Sequence, residues 1–501
     1  MKHHALLFSA RAFPSERSSG AHRIATYLRE HGWDIEVIDF AAHWDIEDLK
    51  QLVRQRTNKN TVFYGFSTFF NYWNNTLSSL TAWMQETYPN VKTVLGGQNV
   101  NLTKATNINY WVDSYGEVAM LELAKSLAGN TPQGLRFDLD HFGSKKLIKA
   151  LHAYPAYNLG SYKIVMEKRD FIKEYEWLTV EFSRGCKFKC DFCNFPILGV
   201  KEDTSRSAED FEHEMKYNYD TFGVDRYYVA DETFNDRKEK IIKFADVAEK
   251  LPFNPFFSGF VRADLMIKHP DTWEHMSRLN FGGQYYGIET FNHASAKVVG
   301  KGMHPDKVKE GLLDIKNYMS NRGFYRGTIS LIVGLPYDTQ QHWNETERWL
   351  RSNWTDQSAV IFPLDVQDLK DNGQSDYTNV SAFSKNLTKY GLREMKIPPS
   401  AYGDFDFFFN WRNGNWYDGY FMWEHDTMNV IQAREIATRM QNIILDGFKL
   451  DSWMLGVVEW NEQRKLYDLA NATTLNKGRG SPDINSSTAF IKEYTALKLN
   501  M

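Results

Sequence analysis

All three cysteines of the chain, Cys186, Cys190 and Cys193, fall inside Ser183–Cys193 with the spacing Cys-x3-Cys-x2-Cys. Three thiolates on one short loop suit a soft metal centre. Closed structural zinc sites take four ligands, and iron–sulfur cubanes normally take four as well. No fourth cysteine exists. A cubane on these three would leave one iron open to something other than a protein thiolate, which makes the loop a ligand-binding site. The alternative is zinc completed by a histidine, with His213 the nearest downstream. Disulfides are a poor fit, because they need pairs and an oxidising compartment.

Phe192 stands just before the last cysteine, and Glu181, Ser183, Arg184 and Gly185 lead into the first. Together these residues resemble the signature of the radical S-adenosylmethionine (radical SAM) superfamily and the Glu-x-Ser-Arg-Gly-Cys lead-in of its larger members. The resemblance implies a 4Fe-4S cluster on the three cysteines, with SAM chelated to the open iron and cleaved to a 5′-deoxyadenosyl radical.

At 501 residues the chain has room for roughly three domains of about 150 residues each. A formal charge of −4 gives no basic footprint, so nucleic acid is an unlikely partner by composition. No apolar run approaches the ~20 residues of a membrane span, and the Met1–Arg11 start has too short an apolar segment for a signal peptide. An oxygen-sensitive cluster and unpaired cysteines together point to the cytoplasm.

Residues 1–132 read as strands alternating with helices. Ala5–Phe8, Ile35–Asp39, Val62–Phe66 and Val91–Leu95 are the strands. A helix through Ile24 and Leu28 stops at Gly32, another covers Leu77–Thr87, and one opens at Gly116-Glu117. Such alternation implies an open, mostly parallel sheet that binds ligands beyond the carboxyl ends of its strands. The order resembles the cobalamin-binding domain of the cobalamin-dependent, class B methylase-like radical SAM group. The positions carried over are Gly65-Phe66-Ser67-Thr68, Gly96-Gly97 and Gly116-Glu117, where backbone would approach the corrin. The Asp-x-His-x-x-Gly motif that supplies a histidine to cobalt is not found in this domain. The competing reading is a Rossmann-like domain without the corrin, serving as scaffold or substrate binder.

Residues 133–175 form a connector, opened by Asn130–Gly134 and containing Lys145-Lys146 and Pro155–Asn158. Residues 176–375 then resemble the radical core, a partial (β/α)6 barrel of TIM type, with its chemistry at the carboxyl-terminal face. A strand at Trp177–Phe182 delivers the cysteine loop, and Ser207 caps the helix after it. The resemblance assigns Asp231 and Glu232 to the SAM ammonium and Arg262 to its carboxylate; plain capping and an ion pair with Asp264 are the structural readings. Glu289, in Gly287-Ile288-Glu289-Thr290, would accept from ribose hydroxyls. Gly334-Leu335-Pro336 would flank the adenine, and Asp338, Thr339 and Glu345 begin the next helix. Tyr286, His304 and His425 are conceivable proton donors.

Residues 376–501 read as a mostly helical, aromatic-rich region. Phe405, Phe407, Phe408, Phe409, Trp411 and Trp416 pack on the barrel or form a lid over a substrate. Asp426 or Thr427 caps a helix to Leu445 ended by Asp446-Gly447, and Asn476–Ser487 looks loose. The expectation is a radical SAM enzyme acting on a small molecule, with a flavodoxin- or ferredoxin-type electron donor. Its reaction would be cobalamin-dependent methylation of an unactivated carbon. The alternatives are rearrangement, oxidation or ring chemistry without cobalamin, or a non-catalytic iron–sulfur protein. Classes with auxiliary clusters need more cysteines.

Overall fold

The structure is a computed structural model. It describes residues 2–10, 17, 19–68, 76–97, 106–113, 115–129, 139–142, 145–149, 161–174, 176–193, 195, 197–364, 366, 381–395, 422–447 and 484–501. The aromatic run expected at 402–416, the Pro155–Asn158 stretch and the turn at 130–134 lie outside these. The chain divides into two compact units. One comprises Met1–Glu181, Glu209–Val224 and Pro482–Met501; the other comprises Phe182–Ala208 and Asp225–Ser481. This partition cuts across the linear order of domain, connector, core and tail expected from the sequence, since the last helix belongs with the first residues. Among the described residues no helix is long and apolar enough to cross a membrane.

The first unit is built on a sheet of order β2-β1-β3-β4-β5-β7-β6. Its strands are His4–Ser9 (β1), Asp34–Ile38 (β2), Thr61–Ser67 (β3), Lys92–Gly97 (β4), Tyr110–Asp113 (β5), Leu139–Phe142 (β6) and Lys145–Lys149 (β7). All pairings are parallel except β6 with β7. Parallel neighbours need crossovers, and helices Ser19–Glu30, Ile46–Arg56, Thr76–Thr87 and Glu117–Leu127 supply them. The first ends as expected at Gly32, whose φ of 87° allows a left-handed stop. Trp33 N–H then reaches back to Leu28 O at 3.1 Å. Core residues lie on both faces of the sheet, and its central strands β1 and β3 are accordingly largely apolar rather than alternating.

The helix Ile484–Asn500 completes this unit, where the sequence suggested loose chain as far as Ser487. Ile491 and Tyr494 enter the same core as Leu6, Phe8 and Phe40. Lys498 pairs with Glu36 at 3.1 Å with both side chains buried. Nearby, buried Arg17 bonds Glu176 at 2.7 Å and Asp39 at 2.9 Å. Tyr494 OH accepts from Asp39 N–H at 3.2 Å. Buried ions hold only when each has a partner, and these do.

The second unit repeats strand and helix. Arg226–Val229 (β9), Phe256–Val261 (β10), Gly283–Glu289 (β11), Arg326–Val333 (β12) and Ser358–Pro363 (β13) pair in parallel and in chain order. Leu178–Val180 (β8) runs immediately before the cysteine loop. This is the partial barrel the sequence implied. Tyr227, Phe257, Tyr286, Ile329 and Ile361 are fully buried, whereas Tyr228, Phe260, Tyr285, Ile332 and Phe362 are half-buried.

The tail departs from expectation at a second point. Asp426 and Thr427 do not cap the helix; they form the turn of a small hairpin between Trp423–His425 and Met428–Asn429. The helix runs Val430–Gly447, and Asn429 Oδ1 accepts from Gln432 N–H at 2.9 Å. Thr427 is held instead by Asp338, its hydroxyl donating to that residue's carbonyl at 2.6 Å.

Candidate active site

The cysteine loop is pinned at both ends by its own backbone. Cys186 N–H donates to Ile197 O at 2.9 Å, and Val200 N–H returns to Cys186 O at 3.1 Å. Cys193 N–H donates to Cys190 O at 3.0 Å, closing the second half of the loop. Gly185 sits at φ 85°, and a Cβ there would lie 2.8 Å from Ile197 Cγ2, so only glycine makes this entry. Cys186 is buried, and Cys190 and Cys193 are half-buried. Burial pushes the Cys186 thiol up and the Cys193 thiol to about 12.

Asp231, Glu232 and Arg262, all singled out in the sequence, contact this loop or its lead-in. Asp231, at the end of β9, is almost completely buried. Its carboxylate accepts from Phe182 N–H at 2.7 Å, Ser183 N–H at 3.1 Å and Ser183 Oγ at 2.6 Å. Lys240 Nζ adds a bond at 3.2 Å and pairs also with Asp236 at 2.7 Å. Burial alone would lower this ammonium, but Asp231 and Asp236 together raise it. Asp231 thus spends its lone pairs on the lead-in to the cysteines. Glu232 does similar work, accepting from Gly185 N–H at 3.0 Å.

Arg262 follows β10 and forms a fork with Asp264, at 2.9 and 2.7 Å, which is the ion pair weighed in the sequence against a SAM-carboxylate contact. The same guanidinium lies 3.9 Å over the Phe188 ring and points Nη1 at Cys190 Sγ, 3.5 Å away. Burial opposes its charge, yet Asp264 more than offsets this and raises its pKa. One arginine therefore serves both an ion pair and the cysteine loop.

Glu289 ends β11 on a register shift between Gly287 and Glu289. Its φ is 68°, a left-handed conformation that a non-glycine residue rarely adopts. Burial raises its carboxyl, and Lys301 at 3.4 Å works against that rise. Strain of this kind gathers at functional sites. Lys301 also lies 5.9 Å from the Phe192 ring.

At the end of β12, Gly334 has φ 95° and Leu335 is fully buried. A Cβ on Gly334 would run into the Trp423 ring, whose Nε1 donates to Leu364 O at 2.9 Å. Asp338 receives Gly334 N–H at 3.0 Å and Trp343 Nε1 at 3.1 Å, and burial raises its carboxyl to about 6. The three conceivable proton donors have local roles. Tyr286 OH is buried between Gln284 and Tyr325. His304 accepts from Asp306 N–H at the start of helix Pro305–Ser320. His425 lies parallel to the Trp423 ring and meets Thr427 Oγ1 at 3.2 Å.

In the first unit, Ser67 and Gly96 are register partners at the carboxyl ends of β3 and β4, with Gly97 next to them. All three are half-buried. Gly65 lies within β3, where a side chain would strike Leu7, so its glycine serves the sheet itself. Gly97, at φ 141°, lets the chain pass against Thr68 O. What remains is an edge of backbone and one hydroxyl, small enough for a flat group to approach. Gly116 caps the helix Glu117–Leu127.

Among the described residues no three His, Cys, Asp or Glu side chains converge as they would on a single ion. Thiolates that each meet a different iron need not converge, so the three-cysteine loop fits a polynuclear cluster and Arg262 offers it a charge complement. Sequence reading missed Lys240, Lys301 and Trp423. Only Lys240 left a trace, as a lone cation on the buried side of helix Lys238–Ala248.

The second unit therefore defines a parallel partial barrel with three cysteines and a ring of charge at its carboxyl-terminal face. Residues 180–350 match the radical SAM superfamily, and the chain carries a radical SAM domain. That family implies a 4Fe-4S cluster and SAM. A curated relative, the anaerobic magnesium-protoporphyrin IX monomethyl ester cyclase of Synechocystis, is 26% identical over 251 residues, which is 46% of this chain; the chain spans about half of that relative, 49%. Two solved structures share the fold. The cobalamin-dependent SAM radical enzyme OxsB, solved with aqua-cobalamin and SAM, has a TM-score of 0.58 at 14% identity, covering 100% of this chain and 72% of its own. The radical SAM methyltransferase TsrM of Kitasatospora setae, solved with cobalamin and a 4Fe-4S cluster, has a TM-score of 0.60 at 12% identity, covering 93% of this chain and 99% of its own.

Proposed function

We propose that this chain is a cobalamin-dependent radical SAM enzyme that methylates an unactivated carbon of a small organic substrate. The observation that carries the reading is the pairing of the two units. A radical SAM domain accompanies an open parallel sheet whose carboxyl edge, at Ser67, Gly96 and Gly97, is almost bare backbone. The whole-chain fold similarity to OxsB and TsrM supports it. When bound, cluster and SAM would supply a 5′-deoxyadenosyl radical, and a corrin would supply the methyl group.

The protein's share is placement. Cys186, Cys190 and Cys193 would hold the cluster. Arg262 would balance its charge beside Cys190 and offer its outer edge to a carboxylate. Glu289 would accept from ribose hydroxyls, with Gly334 and Leu335 flanking the adenine and Phe192 shielding the loop. Asp231 and Glu232 would hold the lead-in, Glu232 being the better placed of the two to receive an ammonium. Reduction would come from a flavodoxin- or ferredoxin-type donor.

A second reading, ring-forming chemistry without methyl transfer, is favoured by the similarity to the Synechocystis cyclase. Anaerobic reconstitution with iron, sulfide, SAM, reductant and hydroxocobalamin separates the two. Deoxyadenosine together with stoichiometric corrin after gel filtration is the expected outcome. Deoxyadenosine without retained corrin overturns methylation in favour of the second reading. A loaded cluster that neither binds nor cleaves SAM overturns both.

A further inference from the structure

We propose that Lys301 is the positioning residue for the Glu289 carboxylate, holding it beside the cysteine loop where SAM would bind. The assignment rests on the radical SAM reading and adds to it a residue that no motif contains.

The lysine is aimed by the helix before it. Helix His293–Val298 stops in a Schellman turn: Gly300 N–H donates to Lys297 O at 3.3 Å and Lys301 N–H to Ala296 O at 2.8 Å. Gly300 takes φ 78°, so the chain reverses there without a side chain in the way. Lys301 is thus the residue just after the reversal, a position that commonly carries a hydrophobe packed back on its helix. Here the position carries a cation, and its side chain is only 14% exposed. A local preference broken without local benefit marks a functional position.

The benefit lies on the neighbouring strand end. Lys301 Nζ donates to Gly287 O at 2.6 Å and sits 3.4 Å from Glu289 Oε1. These two residues flank the register shift in β11, so one ammonium ties both sides of the irregularity. Gly287 keeps the space open, since a Cβ there would lie 2.6 Å from Glu289 Oε1. Among the described residues Arg262 also acts on this carboxylate, but its fork is already closed on Asp264. Phe192 of the cysteine loop lies 5.9 Å from the ammonium, within reach of a cation–π attraction. Lys301 therefore joins the strand end, the strained glutamate and the cysteine loop, and a carboxylate so held is pre-organised to accept from a hydroxylated ligand.

The test uses the full chain, anaerobically reconstituted, with radiolabelled SAM as the probe in equilibrium dialysis. Iron and sulfide content and the unfolding midpoint are measured alongside. Lys301→Met is expected to weaken SAM binding about 10-fold with cluster content unchanged, and Lys301→Arg to recover binding to within about 3-fold of the unaltered chain. Lys301→Met combined with Glu289→Gln should bind no more weakly than Glu289→Gln alone, because both act through one carboxylate. Gly287→Ala, whose Cβ would lie 2.6 Å from Glu289 Oε1 but 3.8 Å from Lys301 Nζ, crowds the carboxylate far more than the ammonium and should reproduce the loss.

Several results would overturn the assignment. They are unchanged SAM affinity in Lys301→Met or Gly287→Ala, losses that multiply in the double variant, or lost iron in Lys301→Met. The last would make the lysine a support of the cysteine loop alone. An unaltered chain that binds no SAM sinks the radical SAM reading, and this assignment with it; normal binding there with an indifferent Lys301→Met sinks the assignment alone.

Discussion

Both units end their parallel strands at a carboxyl edge, but they furnish it in opposite ways. The edge of the second unit is crowded with charge: Asp231, Lys240, Arg262, Asp264, Glu289 and Lys301 are tied to one another or to the cysteine loop. The edge of the first unit offers Ser67, Gly96 and Gly97, and no charged side chain among those three. Charge fixes a small, polar, reactive group at a point, because each ion needs a partner at a set distance. Bare backbone admits a large flat group over an area, because nothing projects. The two edges therefore differ in the kind of group each could admit.

The difference can be broken most severely at the crowded edge. Cys190→Ala should abolish deoxyadenosine formation and sharply reduce iron content after reconstitution, as measured by mass spectrometry and iron assay. Lys240→Met leaves Asp231 as a buried carboxylate without this cation and Asp236 with its 3.8 Å pair to Arg237. It should destabilise the chain by about 3–5 kcal/mol in denaturant unfolding. If Lys240→Met unfolds like the unaltered chain, the charge at this edge is not structural.

A subtler probe is Asp338. Burial raises its folded pKa to about 6, above the unfolded value of 3.8. Between those pH values the folded state keeps a proton that the unfolded state has lost. Its contribution is therefore present at low pH and disappears as pH rises toward 6. Asp338→Asn removes this dependence, so its stability relative to the unaltered chain should improve by about 2 kcal/mol from pH 4 to pH 6. A difference that stays flat with pH would show that the carboxyl is not so perturbed.

The bare edge should respond more gently. Gly97→Ala places a Cβ against Thr68 O at a φ that alanine avoids, costing about 1–3 kcal/mol. The same change should lower corrin retention after gel filtration. Full corrin retention in a properly folded Gly97→Ala chain would detach this edge from the cofactor.

What the sequence made legible was local. The cysteine spacing, the strand–helix alternation and the reversal at Gly32 depend on residues close together in the chain, and each was readable. Glu289 was readable as a motif letter, but its left-handed backbone was not, since that conformation follows from the register shift against β12. Lys301 looks like any lysine after a helix until the turn at Gly300 sends it toward Gly287. The cap at Asp426 was misplaced because the short hairpin is fixed by Trp423 and by Thr427 bonding to Asp338, partners far away in sequence. Long-range contacts decide such cases, and periodicity carries no record of them.

The first unit is assembled from three separated stretches, and Lys498, Tyr494 and Ile491 reach its core from the last helix. During synthesis the opening sheet must wait while everything from Asp225 to Ser481 is made, on the order of tens of seconds at about 5–20 residues per second. Throughout that interval Glu36 has no Lys498 and the core around Phe40 is open. The sheet of the first unit is thus finished only after residues 484–501 have followed it, and until then its core is exposed to misassembly.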